Sequence, residues 1–329
     1  MKYDFENLFF CYTMLTFFVF LILISLKKNY NNNWLDINST NTLKGIAIIT
    51  VIFHHFATNM KYNSIFKIIF GNIGFLGVAI FLFVSGYGLL SSYKNNHNYL
   101  EKFLKNRFFK IIIIFIISRI IILLISRNIV IATQSDWYTY IILYYYFLFY
   151  MVYKYIKNNN LKKYIMWLSF IPYILICLYL KKSPYWYNTS ICFPFGLLIA
   201  EYKEIVYKVI NNNFIKFLIP LGLFILVMVV FQVTGFISNL RWLQFITPII
   251  FILLIITLLT KFKLDSKILK FFSNISFPLY LLHIFLFKYI YNLGIHSDFV
   301  FVITIVVNIL FAIIINKLLN IIYGRSIWN

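Results

Sequence analysis

The hydrophobic positions form long, nearly continuous apolar runs that are separated by short polar loops from residue 8 to residue 322. A helix of about 20 apolar residues is what crosses the hydrocarbon core of a bilayer. The pattern therefore predicts an all-α, polytopic transmembrane helical bundle with about eleven spans. In chain order these are 8–26, 43–60, 68–92, 108–126, 138–156, 164–180, 188–207, 214–235, 242–260, 271–291 and 299–322.

The composition excludes several broad classes of protein. Hydrophobic residues make up 62% and charged residues 12% of the chain, against roughly 45–50% and about 25% in soluble domains. The three cysteines, Cys11, Cys177 and Cys192, are far apart and form no CxxC pair, which argues against a disulfide scaffold. The richness in Ile, Asn, Lys, Phe and Tyr is typical of an AT-rich genome, and we expect a bacterial plasma membrane protein.

The net charge of +21 does not indicate a nucleic-acid partner, because no basic stripe or nucleic-acid-binding motif accompanies it. Of the 30 Lys and Arg residues, 21 fall in the loops on one side of the predicted bundle and eight on the other, and Arg119 lies within a span. The positive-inside rule then places the N-terminus outside and the C-terminus in the cytoplasm. The longest loop between spans, residues 27–42, is predicted to be a cytoplasmic polar linker.

Polar residues inside a bilayer are costly and are functional candidates by default. In LKGIAIITVIFHH, residues 43–55, Lys44 lies at the cytoplasmic end of the second span. His55 follows eleven residues later, about 16 Å deeper and on nearly the same helix face, whereas His54 points about 100° away. The alternative is an interfacial lysine below a hydrogen-bonded structural histidine.

A second candidate group lies in SFPLYLLH, residues 276–283. Ser276, Tyr280 and His283 are spaced to share one helix face. His283 is expected at the depth of His55, and Arg119 at a similar depth. This predicts a polar cavity shared by two histidines and an arginine, although separate hydrogen-bond partners for each remain an alternative.

Two further stretches lie toward the cytoplasmic ends of the third and fourth spans. In residues 71–90 the glycines favour close helix packing, and the segment from Ser85 to Tyr87 is expected to open the backbone beside a ligand. The fourth span begins with LKNRFFK, which contains Lys105, Arg107 and Lys110. This cluster is either a positive-inside anchor or a phosphate clamp for a polyanionic donor such as coenzyme A.

Together these stretches resemble the acyltransferase-3 family of integral membrane O-acyltransferases. In that family's opening helix a basic residue precedes a functional histidine by eleven positions, as Lys44 precedes His55. GFLGVAIFLFVSGYGLL resembles its glycine-containing helix, NRFFKI its arginine pair with Lys110 as the second member, ISFPLYLLHIFL its late Ser/Tyr/His helix and, more weakly, FPFGLLIAEY a further glycine helix. The fifth span keeps Trp137 but lacks the glutamate that many members carry nearby.

The resemblance implies an extra N-terminal transmembrane helix and loop in residues 1–42, followed by a ten-span acyltransferase-like domain in residues 43–329. It also implies transfer of an acyl group from cytoplasmic acyl-CoA, most simply acetyl-CoA, to a hydroxyl of a cell-surface polysaccharide or lipid-linked sugar. The expected partners are the bilayer, acyl-CoA and a glycan acceptor, with no bound cofactor, metal or nucleic acid.

The same resemblance implies roles for individual residues. His55 is the expected general base or transient acyl carrier. Lys44, His283 and Arg119 are expected to assist by orientation or charge stabilisation. The expected donor-binding residues are Arg107, Lys110, Ser85 and Tyr87.

Two other functions are compatible with the sequence. A secondary transporter or polysaccharide flippase would show internal repeats and spans broken near the midplane, and neither is evident. A haem or quinone protein would need facing axial ligands, which His55 and His283 are candidates to supply.

Overall fold

The computed structural model describes residues 8–28, 34–60, 64–96, 98–134, 136–233, 243–293 and 299–323. These residues are predominantly helical, which confirms the main feature of the predicted fold. The helices are α1 (Leu8–Ser25), α2 (Ile37–Asn59), α3 (Ile65–Asn95), α4 (Phe109–Ser126), α5 (Ile129–Ala132), α6 (Trp137–Tyr155), α7 (Asn159–Leu168), α8 (Phe170–Tyr179), α9 (Cys192–Glu201), α10 (Lys203–Asn212), α11 (Phe214–Val233), α12 (Leu243–Lys261), α13 (Lys267–Asn274), α14 (Ser276–Asn292) and α15 (Phe299–Tyr323), with a π-helical turn at Leu104–Phe108 and a 3₁₀ turn at Pro184–Trp186.

Every predicted span contains one of these helices or a consecutive pair of them. Among the described residues, five helices are long and apolar enough to cross a membrane, or up to seven if each of two bent pairs is one span. The 23 residues of α2 and the 19 of α6 are long enough. Their polar, His- and Tyr-containing sequences lower their hydropathy. These two helices also carry residues of the candidate site.

Close backbone packing holds α2, α3 and α9 together. A Cβ atom on Gly74 would overlap the ring of His54, and one on Gly86 would overlap the carbonyl oxygen of Phe193. Gly196 meets the backbone of α3 in the same way at Phe83. The packing role predicted for the glycines of α3 is confirmed for Gly74 and for Gly77, which meets the backbone of Ala47 in α2, but not for Gly71. The predicted opening at Ser85–Tyr87 is wrong, because α3 continues as a regular helix through these residues against α9.

Two helix pairs are sharply bent. The axis turns by 90° between α10 and α11 and by 73° between α13 and α14. At the second bend, the Ser276 hydroxyl donates to the carbonyl oxygen of Ser273 at 2.8 Å. Ser276 therefore stabilises the bend, while Tyr280 and His283 point toward the site from the following turns of α14.

A two-stranded antiparallel clasp, which the sequence did not predict, connects the end of α1 to the segment after α12. Its strands are β1 (Leu26–Lys28) and β2 (Phe262–Leu264). Just after β2, Asp265 forms ion pairs with Lys27 at 3.0 Å and Lys270 at 2.7 Å. The Lys270 and Lys27 ammonium groups hold the pKa of the Asp265 carboxyl below its usual value.

The second half of the predicted polar linker, from residue 34 to residue 42, is a cap and the first turns of α2. Asp36 accepts a hydrogen bond from the backbone N–H of Ser39 at 2.7 Å, and this N-cap starts α2 six residues before residue 43. Trp34 and Leu35, which precede the cap, are buried in the core. Asp36 also pairs with Lys263 of β2, so the start of α2 is fixed against the clasp.

A second ion-pair group joins three other helix ends. Glu201 at the end of α9 contacts Lys94 of α3 and Lys163 of α7, each at 2.7 Å. The clasp and this group connect loops that the charge count assigns to one side of the membrane.

Candidate active site

The two ends of α2 open onto different cavities. Lys44 lines a wide cavity of about 970 Å³, here called the basic cavity. His55 lines a second cavity of about 390 Å³, here called the histidine cavity. Eleven residues of helix separate the two side chains by about 16 Å. Lys44 and His55 therefore lie on one helix but line different cavities. The two side chains are too far apart to contact the same reacting group.

The basic cavity contains most of the predicted donor-binding residues. Its wall includes Arg107, Ser85 and Tyr87, as well as three lysines, Lys44, Lys94 and Lys203. Among the lining residues, Asp36 is the only acid, and it is paired with Lys263. The wall is therefore strongly cationic and suits an anionic ligand.

Helix geometry explains how these side chains are presented. Arg107 lies in the π-helical turn before α4 and is exposed within the cavity, whose wall it shares with Tyr99. The Tyr87 hydroxyl donates to the carbonyl oxygen of Leu35 at 2.9 Å, which fixes the ring. Lys110 is not part of the cavity wall, although it lies within electrostatic range of Lys44.

The histidine cavity contains a partly buried ion pair. Arg119 of α4 lies 3.7 Å from the Asp136 carboxylate, which precedes α6. The Tyr280 hydroxyl donates to the same carboxylate at 3.1 Å, and the Thr139 hydroxyl at 3.3 Å. The Asp136 side chain is 9% and the Arg119 side chain 18% exposed. Three separate segments, α4, α6 and α14, are thus joined at one carboxylate.

Asp136 is the residue that sequence analysis missed. The family resemblance predicts a glutamate in the fifth span, whereas the acidic residue of this chain is the aspartate immediately before Trp137. The available signal was that the chain contains only nine acidic residues, and one of them precedes an apolar run.

His55 lies next to His283 and on the wall that Arg119 also lines, but the three residues do not share one cavity as predicted, because His283 does not line the histidine cavity. The His55 and His283 rings lie 4.9 Å apart between centroids, and His55 and Arg119 line the same cavity. His54 is also close to His55, at 5.0 Å. Its Nδ1–H, however, donates to the carbonyl oxygen of Phe70 at 2.9 Å, and its ring packs on Gly74. His54 is therefore held in a structural position.

The contact between His55 and His283 does not fit the haem interpretation. Two axial imidazoles of a haem lie on opposite faces of the porphyrin, and rings 4.9 Å apart leave no space for a macrocycle between them. The arrangement suits acid–base or nucleophilic chemistry of the imidazoles, next to the Arg119–Asp136 ion pair.

A family model described as an acyltransferase domain matches residues 32–317 of the chain. The matched region contains the lining residues of both cavities, from Leu35 to Asn292. Searches for similar curated proteins and for similar solved structures found no match.

Proposed function

The chain belongs to the acyltransferase-3 family, and we propose that it is a membrane O-acyltransferase, most simply an O-acetyltransferase. In this proposal an acyl group moves from cytoplasmic acyl-CoA to a hydroxyl of a cell-surface polysaccharide or lipid-linked sugar. One observation carries the proposal: α2 lines a wide cationic cavity with Lys44 and brings His55 next to His283 farther along the same helix. Acyl transfer from a polyanionic donor needs both features.

The basic cavity is the proposed site for the phosphates of the donor. Arg107 and Lys44 supply charge-assisted contacts from its wall, and Ser85 of α3 adds a hydroxyl group. The volume of about 970 Å³ is within the range of sites that bind small-molecule ligands and cofactors. The flexible pantetheine arm then carries the thioester toward His55.

At the histidine cavity, His55 is the proposed contact to the acyl group. A neutral imidazole is able to accept the proton of an attacking hydroxyl or to carry the acyl group itself. Arg119, fixed by Asp136, is placed to stabilise negative charge as it develops on the carbonyl oxygen.

The direct test uses full-length protein in lipid vesicles with radiolabelled acetyl-CoA. We expect saturable binding of acetyl-CoA, together with O-acetyl groups on surface glycans of cells that express the protein. These groups should be absent from a deletion strain. Absence of both would reject the proposal. A flippase would instead change the amount of exported glycan without acylating it.

The proposed setting is a bacterial plasma membrane, with eleven spans, the N-terminus outside and the C-terminus in the cytoplasm. The native cysteines are buried, so single cysteines introduced at exposed positions report sidedness. Substitutions Asn96→Cys and Asn159→Cys should be protected from an impermeant thiol reagent in intact cells, and Ser183→Cys should react. The opposite pattern would reverse the orientation.

A further inference from the structure

Next to His55, helices α2, α14 and α15 enclose a small chamber of about 20 Å³, enough for one water-sized group. Three residues of its lining have a polar atom without a hydrogen-bond partner among the described residues. These atoms are His283 Nε2, Thr304 Oγ1 and Asn308 Oδ1. The residues are only 3%, 4% and 1% exposed. Buried polar atoms are nearly always hydrogen-bonded, so three in one chamber indicate a bound polar group.

The hydrogen bonds that these side chains already make determine which donors and acceptors remain for a group in the chamber. His283 Nδ1 lies 2.6 Å from the carbonyl oxygen of Tyr280. A carbonyl oxygen only accepts, so Nδ1 carries the hydrogen and Nε2 of the neutral ring is an acceptor. Asn308 Nδ2 donates to the carbonyl oxygen of Leu279 at 3.1 Å, which leaves its Oδ1 as a second acceptor. The Thr304 hydroxyl both donates and accepts.

Two acceptors and one hydroxyl in a space for one oxygen match a water molecule, which donates to both acceptors and accepts from Thr304. An alcohol oxygen in the same position donates its one hydrogen to His283 Nε2 and accepts from Thr304. The rest of the wall contains apolar side chains, among them Phe56 and Phe287, and two further polar residues, Asn59 and Lys288. The Asn59 amide already donates to the carbonyl oxygen of His55 at 2.6 Å, and Lys288 is exposed. His55 belongs both to this chamber and to the histidine cavity. An oxygen in the chamber is therefore adjacent to the acyl group that we assign to His55.

We propose that this chamber binds the attacking oxygen of the acceptor hydroxyl, and that water occupies the same position when no acceptor is present. The inference rests on the proposed acyltransferase function and identifies the nucleophile site within it. The Thr304 hydroxyl, on the same face of α15 as Asn308, donates to the oxygen, and Asn308 Oδ1 accepts the second hydrogen when water is bound. His283 Nε2 accepts its proton, which leaves His55 to contact the acyl group.

The reaction is balanced without another reactant. The oxygen attacks the carbonyl carbon of the thioester, so that a C–O bond forms and the C–S bond breaks. The proton of the hydroxyl passes to His283 Nε2 and then to the sulfur that leaves, giving an ester and free CoA thiol. With water in the chamber the same step gives acetate and CoA thiol. Slow hydrolysis of acetyl-CoA in the absence of a sugar is therefore a predicted further activity.

The test compares two substitutions at one position in full-length protein in lipid vesicles, supplied with acetyl-CoA alone. Thr304→Val keeps the side-chain shape but removes the hydroxyl, and Thr304→Ser keeps the hydroxyl but removes a methyl group. We expect Thr304→Val to slow thiol release per bound acetyl-CoA by roughly threefold to tenfold, the effect of one hydrogen bond. Thr304→Ser should remain near wild type.

A matched control is Thr257→Val in α12. Thr257 is fully buried, and its hydroxyl already donates to the carbonyl oxygen of Leu253 at 2.8 Å. It should release thiol at the wild-type rate per bound acetyl-CoA. If Thr304 only packs, the order reverses, because Val fills the space and Ser leaves a cavity. That reversed order, or equal rates for Thr304→Val and wild type, would overturn the inference.

A second measurement distinguishes an alcohol from water as the source of the attacking oxygen. With methanol added, the wild-type protein should form methyl acetate as well as acetate, and Thr304→Val should lower both. Formation of acetate alone would show that an alcohol does not reach the chamber, against the inference. Wild-type protein that binds acetyl-CoA and acylates glycans in cells, yet releases no thiol here, would reject the inference and leave the proposed function intact.

Discussion

The basic cavity and the histidine pair lie at different positions along α2. They differ in the volume of the space around them and in whether their charged groups are paired. In the basic cavity, Lys44 and Arg107 face about 970 Å³ of open space, and cations outnumber the acid on the wall. Around His55 the spaces are smaller, about 390 Å³ in the histidine cavity and about 20 Å³ in the chamber that His283 also lines. Of the two cations that line the histidine cavity, Arg119 has a carboxylate partner and Lys288 is exposed.

The difference reflects the cost of removing charge from water. In an open cavity, water solvates unpaired cations, which remain available to a phosphate. In a closed site an unpaired charge is strongly destabilising, so neutral imidazoles and an ion pair are the stable choices. The first region is therefore suited to binding and the second to chemistry. The following predictions test this separation, from the largest expected effect to the smallest.

The largest effect is expected at the histidines. His55→Ala should abolish detectable transfer, because a group acting at the reacting carbonyl contributes about 10²–10⁴-fold. His54→Ala should keep most of the activity of each folded molecule but lower the folded amount, because it loses the bond to Phe70 and the packing on Gly74. Transfer rate divided by folded protein is the measurement. Equal losses in both variants would remove the distinction between the two histidines.

The next effect concerns donor affinity. Arg107→Ala should raise the donor KM by roughly 10- to 150-fold, since a hydrogen bond to a charged group contributes about 1.5–3 kcal/mol. Folding should change little, because Arg107 is exposed within the cavity. Lys105→Ala is the matched control, as it removes a nearby charge that does not line the cavity. A similar KM change in both variants would indicate a general charge effect and no direct contact.

The Arg119–Asp136 ion pair is expected to have a smaller effect on stability and a separate effect on activity. Asp136→Asn should lower the free energy of unfolding by about 1–3 kcal/mol, because Arg119 then stays partly buried without its partner. Thermal unfolding in detergent measures this change. The double variant Arg119→Met/Asp136→Leu should recover most of the stability but not the transfer rate. Recovery of both would show that the pair has no part in the chemistry.

The smallest effect is expected at the clasp outside the membrane. The pKa of folded Asp265 lies below its ordinary value of 3.8. Its contribution to stability is therefore complete above that value and is lost as the pH falls through the lowered pKa. Asp265→Asn should lower the free energy of unfolding at pH 6 by less than about 1 kcal/mol, because the pairs are partly exposed. It should also reduce the loss of stability between pH 5 and pH 3.

Glu101→Gln, which changes an exposed acid in the turn before α4, is the control for the clasp. Unfolding curves at several pH values compare the two variants with wild type. A steeper acid transition in Asp265→Asn than in wild type would contradict the assigned sign of the effect.

The residues of the site differ in how far the sequence revealed them. The depth of His55 and His283 followed from counting residues inward from basic loops, because a helix rises by a fixed distance per residue. Asp136 was missed, because its importance depends on Arg119 of another helix. Thr304 and Asn308 are polar residues inside a predicted span, but their role depends on the packing of α15 against α2 and α14. The expected backbone opening at Ser85 was wrong, because contact with α9 keeps α3 regular.

The sequence by itself determined the helical membrane fold, the grouping of charged loops on two sides and the acyltransferase-3 resemblance. These properties depend on local composition, matched to the thickness and polarity of a bilayer. Only the tertiary structure decided that Arg119 pairs with Asp136, that His54 is bonded to Phe70 while His55 faces His283, and that α15 completes a polar chamber. Each of these depends on contacts between segments far apart in the chain, and their geometry is fixed when the helices pack together.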